Sequence, residues 1–568
     1  MREFKMLPVG FLALTSAIMA CTDPAANSST SSSSGSGSSG GDFNGITGTA
    51  KETFWSENGN ELVYVKDRWT AIEAIADKTY EGTISDPGVI SIPDVPMGTY
   101  WLALTSPPPI NLPNAQAPRT FIETDARVVD VGRLNTGRSD IAIMTKPSPI
   151  VIDATFGAPF RIYSEDMNGQ VTQPLVDELQ FVSHGAALWG TADTFAESTG
   201  PLDGATQVQG WTFDMQEFFE GLVSQEAPLV DATKGDDFVA VHGVATLVGD
   251  STPDGDPWTG YQSVSAKEAS SVAGVTMTDG AMTKVTLDFT LLPPKGFALD
   301  YKGSAFNALL PSGITDPVLT NLSVVMEAGT PNPGIGTFAN LWNVAVVSET
   351  AYTNPDPACQ GAGCDPMACA TTCDPGTPAL PGDHAHAYTY GNPFQYGQEL
   401  FTAGVYFTQN VRFLLPEMTT ERLRGYFTIT MPVADATGKP ITPTLSLPQN
   451  IQVASKATPY DQITTGVGNT PMVSWDAPAL GTPTHYRVSV VDLTDMTDVK
   501  GFTSLRRTVA TMYATGTQVT IPEGIMKTGT NYYFQVTAYL GGTYDSGKPF
   551  VEAQKYAAAR MFTGVVTP

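Results

Sequence analysis

The run Asp383-His384-Ala385-His386 is where residue type and spacing in this chain come closest to chemistry. Alternate residues of a strand project to the same face, so His384 and His386 would offer two imidazoles to one divalent metal ion, with Asp383 lending an oxygen or orienting a ring. The chain holds 5 histidines, so two in one triplet stand out. The spacing supplies no third ligand, and two solvated histidines in a loop would read the same way. A divalent ion is the cofactor that this run would hold. His242 alternates with Phe238 and Ala240 in an apolar run and reads as a satisfied core histidine. Asp250, Asp254 and Asp256 lie near Trp258 and Tyr261, without the alternating oxygens or closing glutamate of an EF-hand loop, and read as an acidic turn.

Four of the 5 cysteines fall in DPACQGAGCDPMACATTC: Cys359, Cys364, Cys369 and Cys373. Their spacing lacks the paired C-x2-C that aims two thiolates at one zinc ion. An even number of cysteines in a loop rich in Gly, Pro and Ala favours two disulfides, neighbours paired being the simplest arrangement. Each short bridge would restrict the unfolded chain by ~2 kcal/mol. A soft-metal cluster, or calcium on Asp356, Asp365 and Asp374, is the alternative. Thiol counting on the purified mature protein checks this: none of the four should be free, and two or more free thiols binding zinc stoichiometrically would replace the staples with a metal centre.

Disulfides require an oxidising compartment, and the N-terminus points to one. Arg2 and Lys5 precede an apolar run from Met6 to Ala20, about 15 residues where a membrane span needs ~20, so residues 1–20 read as a secretory signal peptide. The stretch Ile18-Met19-Ala20-Cys21 resembles the lipobox of bacterial lipoproteins. The resemblance implies that Cys21 carries acyl chains and becomes the mature N-terminus, which would make the membrane a partner through those chains. The alternative is an ordinary secretory peptide cut near Ala20. Thr22 follows the cysteine where lipoproteins retained at the inner membrane commonly carry aspartate, so the expected location is the cell envelope, at the outer membrane or cell surface. Residues 21–41 include SSTSSSSGSGSSGG, which has almost nothing to bury and reads as a disordered tether reaching roughly 25 Å on average.

The body must position whatever chemistry there is. Only 15% of the chain's residues are charged, and its 54 Gly and 43 Pro include many that punctuate short alternating runs, so the fold class is all-β, with multidomain β-sandwiches joined by turns. A net charge of −27 argues against nucleic acid as a partner. In residues 42–147, DPGVISIPDVPMGTYWLAL sets Ile90 and Ile92, then Tyr100, Leu102 and Leu104, on either side of a Pro-Met-Gly turn. This resembles the carboxypeptidase-regulatory-like, transthyretin-like β-sandwich, which implies a structural spacer without a protease site. The middle, residues 148–440, resembles no family. It shows strands such as FVAVHGVATLV and RGYFTITMPV, an expected hairpin at Asp279-Gly280, helical stretches at FDMQEFFEGLV and SAFNALL, and the Cys-rich loop 354–382.

Residues 445–568 contain five alternating runs, from LPQNIQVAS to MKTGTNYYFQVTAYL. Trp475, Tyr486 and the run Tyr532-Tyr533-Phe534-Gln535-Val536 resemble the core of a fibronectin type III domain. The resemblance implies that Trp475, Tyr486, Phe534 and Val536 are core and that the Tyr532 hydroxyl bonds back to the backbone a few residues upstream. The loop GGTYDSGKP is expected on the surface and has no Arg-Gly-Asp. Together these readings predict a non-catalytic surface protein for binding, adhesion or scaffolding, with a protein or polysaccharide ligand. The alternative is a lipid-anchored hydrolase, metal-dependent or carbohydrate-active, with its catalytic domain in the middle region.

Overall fold

The computed structural model describes residues 44–56, 59–109, 112–162, 164–165, 171–173, 177–192, 203–214, 227–248, 259–311, 319–327, 341–351, 383–394, 398–412, 420–494, 496–497, 503–504, 506–541, 544–550 and 555–568. The signal peptide, Cys21, the tether, the acidic residues 250–256, and Cys359, Cys364, Cys369 and Cys373 with their loop lie outside the described residues. So does most of FDMQEFFEGLV; SAFNALL supplies the short helix Gly303–Asn307. The protein is all-β, built from several stacked sheets.

In the N-terminal unit, the sheet containing Gly45–Thr49 and Val89–Pro93 faces the strands Ala71–Ile75, Tyr100–Thr105 and Arg119–Thr124 across one core. Period-two alternation decides which side chains enter it: Ile90, Ile92, Tyr100, Leu102 and Leu104 are all buried, as their spacing predicts. Gly98 closes the turn between them at φ +122°, a conformation closed to most L-residues. Arg127 fastens that turn, donating to the carbonyl oxygens of Val95, at 3.1 Å, and of Pro96. The Tyr100 hydroxyl donates to the Ala126 carbonyl.

The middle region is two sandwiches sharing one long sheet. Pro149–Phe160 pairs with Ala205–Asp214 and, in parallel, with Thr283–Asp288, and this sheet encloses Ile150, Ile152, Phe181, Trp211 and Phe238 against the strands Glu178–Ser183 and Val239–Val248. Pro294–Lys302, paired with Asp383–Gly391, contributes Phe297, Leu299, Tyr388 and Tyr390 to a second core with Phe401, Val405, Phe427 and Ile429. The expected hairpin at Asp279-Gly280 is a turn without a hairpin. Gly280 has φ +76°, but Thr283–Asp288 pairs with Pro149–Phe160, while Thr276 bridges Asp231. The Asp279 carboxylate redirects the chain by accepting from the amides of Thr145 and Lys146, at 2.8 and 2.9 Å.

The C-terminal unit places Gln449–Val453, Met472–Asp476 and Gln518–Thr520 in one sheet. In the other, His485–Asp492 lies between Arg507–Ala514 and Tyr532–Gly541, followed by Lys555–Phe562. Trp475 packs edge-on to Tyr486 at 5.1 Å between ring centroids, and Phe534 and Val536 are fully buried. The Tyr532 hydroxyl accepts from the Lys527 amide at 3.0 Å, the upstream backbone bond expected of it.

Both edges of that second sheet are taken. On one side Lys555–Phe562 pairs with Thr420–Pro432 of the middle region, Ile429 opposite Ala557 and Tyr426 opposite Arg560. On the other, Arg507–Ala514 pairs in parallel with Arg119–Thr124 of the N-terminal unit, Ala510 opposite Arg119 and Tyr513 opposite Ile122. Among the described residues, 19 strands therefore hydrogen-bond into one sheet that runs from Leu188–Ala192 through the C-terminal unit to Thr79–Glu81. The loop expected on the surface is part of the fastening. Ser546 bonds Thr124 at 3.0 Å, the Asp130 amide donates to the Gly547 carbonyl at 2.7 Å, and Phe550 stacks on Trp69 at 5.6 Å. Tyr544 is half-buried and stacked on His485 at 4.3 Å, so it is a packing residue and not a free surface side chain.

Candidate functional site

The strand Asp383–Gly391 puts His384, His386, Tyr388 and Tyr390 on one face, as period two requires. The two imidazoles lie 18° from parallel with centroids 6.2 Å apart. His384 Nε2 is 2.6 Å from the Tyr388 hydroxyl, and the His386 ring sits edge-on to Tyr388 at 4.7 Å. Burial, followed by the neighbouring charge of His386, lowers the His384 pKa to about 4, so this imidazole is neutral at physiological pH. Asp383, expected to join the pair, points to the opposite side. Its Oδ1 accepts from the amide and hydroxyl of Ser304, at 3.1 and 2.6 Å, and pins the start of the helix Gly303–Asn307. Among the described residues no group of three His, Cys, Asp or Glu is placed to hold a metal ion.

A second polar cluster is centred on the buried His242, Glu268 and Asp177. His242 stands opposite Glu268 in adjacent strands, its Nδ1 2.7 Å from Glu268 Oε1 and its Nε2 3.3 Å from Asp177 Oδ2. Phe160 stacks on the ring at 4.9 Å and Phe156 meets it edge-on at 5.3 Å. Asp177 also accepts from Arg161 Nη2 at 2.7 Å and from the Ala245 amide at 2.9 Å, while Glu268 accepts from the Gly157 amide at 2.8 Å. Burial pushes the His242 pKa down, but its bonds to the two carboxylates outweigh this and raise it above the ordinary histidine value. Burial pushes the Asp177 carboxyl up, and the bonds from His242 and Arg161 reverse that, holding it below the usual carboxylate range. Two ring nitrogens each facing a carboxylate oxygen are satisfied together only by the imidazolium, which donates from both. The cluster is then two cations against two anions, with the backbone taking the spare acceptors. His242 is the satisfied core histidine that its alternation predicts.

The remaining histidines are also packing groups. His184 is buried with Nδ1 2.9 Å from Asp237 Oδ2, and His485 is buried against Tyr539 at 4.9 Å and Tyr544. Arg138 grips the buried Asp236 with Nε and Nη2, both at 2.8 Å. None of these partners was identifiable from local spacing. For Tyr388 there was a signal: HAHAYTY continues the alternation of the two histidines.

No family model matches the chain, and no curated protein matches it. Among solved structures, a Streptococcal ancillary pilin aligns at 10% identity over 67% of this chain and 95% of its own, with a TM-score of 0.10. The chicken CNTN1 FN1-FN3 domains align at 10% identity over 76% of this chain and 99% of theirs, with a TM-score of 0.12. A Salmonella alpha-2-macroglobulin aligns at 9% identity over 90% of this chain and 33% of its own, with a TM-score of 0.15. At such scores the alignments assign neither a fold family nor an activity.

Proposed function

We propose that this chain is a lipid-anchored cell-envelope protein whose β-body serves as a non-catalytic scaffold or binding protein for a protein or polysaccharide ligand. The observation that carries the reading is the single sheet running through all three units, with the C-terminal unit wedged between the other two. Joined edges remove the hinges that a string of independent domains would have, which suits a strut. The strand arrangement of the C-terminal unit and the bond from Lys527 to the Tyr532 hydroxyl support reading it as a fibronectin type III domain. The sandwich around Gly98 and Tyr100 supports the carboxypeptidase-regulatory-like reading as a spacer. The hydrolase alternative has less support, because Asp383 is spent on Ser304, and the buried Asp177 and Glu268 on Arg161 and His242.

Anchoring through Cys21 gives the direct test. Cys21→Ser should move the protein from the membrane fraction to the soluble fraction, since the thiol is the point of lipid attachment. Intact mass of the wild-type mature protein should show fatty acid on the N-terminus. A mature protein without fatty acid would sink the anchor.

A further inference from the structure

We propose that His384, His386 and Tyr388 form a three-donor site for a divalent transition-metal ion, with Cu(II) held most strongly. The proposal is independent of how the protein is anchored.

The three side chains leave one face of one strand: His384 Nε2 and the Tyr388 hydroxyl are 2.6 Å apart, and the His386 and Tyr388 ring centroids are 4.7 Å apart. Two donors bound to one ion at ~2.0–2.1 Å and at a right angle to each other lie about 2.9 Å apart. The nitrogen and oxygen are thus already spaced as a chelating pair, and binding asks only for a small opening of that contact. As the ion enters, the metal–oxygen bond forms and the phenol proton passes to solvent. His386 is exposed and gives the ion a way in, while the neighbouring strand of the same sheet sets buried Tyr301, Leu299 and Phe297 beside the three donors. That apolar row keeps water from one flank of the donors. Imidazole nitrogen suits Zn, Ni and Cu, and for a given donor set Cu(II) heads the affinity order. Tyr388 takes the place that sequence spacing suggested for Asp383, whose carboxylate faces Ser304.

The test is Cu(II) titration of the full-length mature protein, with any free thiols alkylated, followed by electron paramagnetic resonance and visible absorbance. One equivalent should bind with nitrogen hyperfine structure and a phenolate-to-copper charge-transfer band. Tyr388→Phe should keep the nitrogen signal and lose the band. His386→Ala, at an exposed position and with circular dichroism unchanged, should weaken binding by more than about tenfold, the scale that loss of even an outer-shell partner reaches. A band that survives in Tyr388→Phe, or a Cu(II) affinity unchanged in the His384→Ala/His386→Ala double variant, would overturn the assignment.

Discussion

Trp475→Ala is expected to destabilise the C-terminal sandwich by ~3–5 kcal/mol, the cost of emptying a buried aromatic site that its surroundings cannot refill. Trp475 is 4% exposed and sits between the two sheets, edge-on to Tyr486, in a core that continues through Val488, Val490 and Phe534. Domains are stable by only ~5–15 kcal/mol, so the loss should be visible as a large drop in urea midpoint at unchanged slope. Because the same core runs on into Phe427 and Ile429, the variant should loosen the neighbouring middle region as well. A change within ~0.5 kcal/mol, as at an ordinary surface position, would mean that Trp475 is not the centre of this core.

Asp177→Ala should be about as damaging, for an electrostatic reason. It strips Arg161, His242 and the Ala245 amide of a shared acceptor inside the fold, and breaking a buried ion pair from one side costs ~3–5 kcal/mol. The exposed pair Asp435–Lys439, four residues apart at 3.6 Å, is the control: Asp435→Ala should cost no more than ~0.5 kcal/mol. The cluster also sets a pH dependence. His242 has a raised pKa, so its contribution is complete below the ordinary histidine value of ~6.5 and is lost as pH climbs through the higher folded value. Asp177 has a lowered pKa, so its contribution is complete above the unfolded carboxylate value of ~3.9 and is lost as pH falls through the folded one. Glu268 meets the other nitrogen of the His242 ring, and Arg161 pairs with Asp177. Urea midpoints should therefore fall on the alkaline side in wild type, and this alkaline loss should shrink in His242→Ala. Equal alkaline losses in the two proteins would contradict the imidazolium assignment.

Local periodicity made much of this fold legible. Ile90, Ile92 and Tyr100 announced their burial by alternation, and Trp475 and Tyr532 by the company they keep in sequence. The cores of both terminal sandwiches follow from such patterns, because which face of a strand is apolar is a short-range property. Partner choice between distant strands is a different matter. Nothing in Arg119–Thr124 says that it will lie beside Arg507–Ala514, and Thr124 meets Ser546 across 422 positions of sequence. The Asp279-Gly280 turn was read as a hairpin for the same reason: the turn residues fix a reversal locally, while the strand leaving it found a better partner in Pro149–Phe160. At the candidate site, the same-face placement of His384 and His386 was legible and the turn of Asp383 toward Ser304 was not, since a helix start 79 positions away in sequence decided it. The buried four-charge cluster left a weak trace, with His242 and Glu268 each interrupting an apolar face at positions that become cross-strand neighbours.

Hydrogen exchange on the intact mature protein reports whether the sheet is continuous across the three units. Amides that no lone sandwich would protect become interior once the edges join: those between Tyr426 and Ile429 against Ala557 to Arg560, and those between Arg119 and Ile122 against Ala510 to Tyr513. These segments should exchange as slowly as Val488 to Val490 and Phe534 to Val536 at the centre of the C-terminal sheet, because all would open in the same cooperative event. Exchange at the two junctions as fast as in exposed loops, with the C-terminal centre still protected, would show three separate domains and contradict the account.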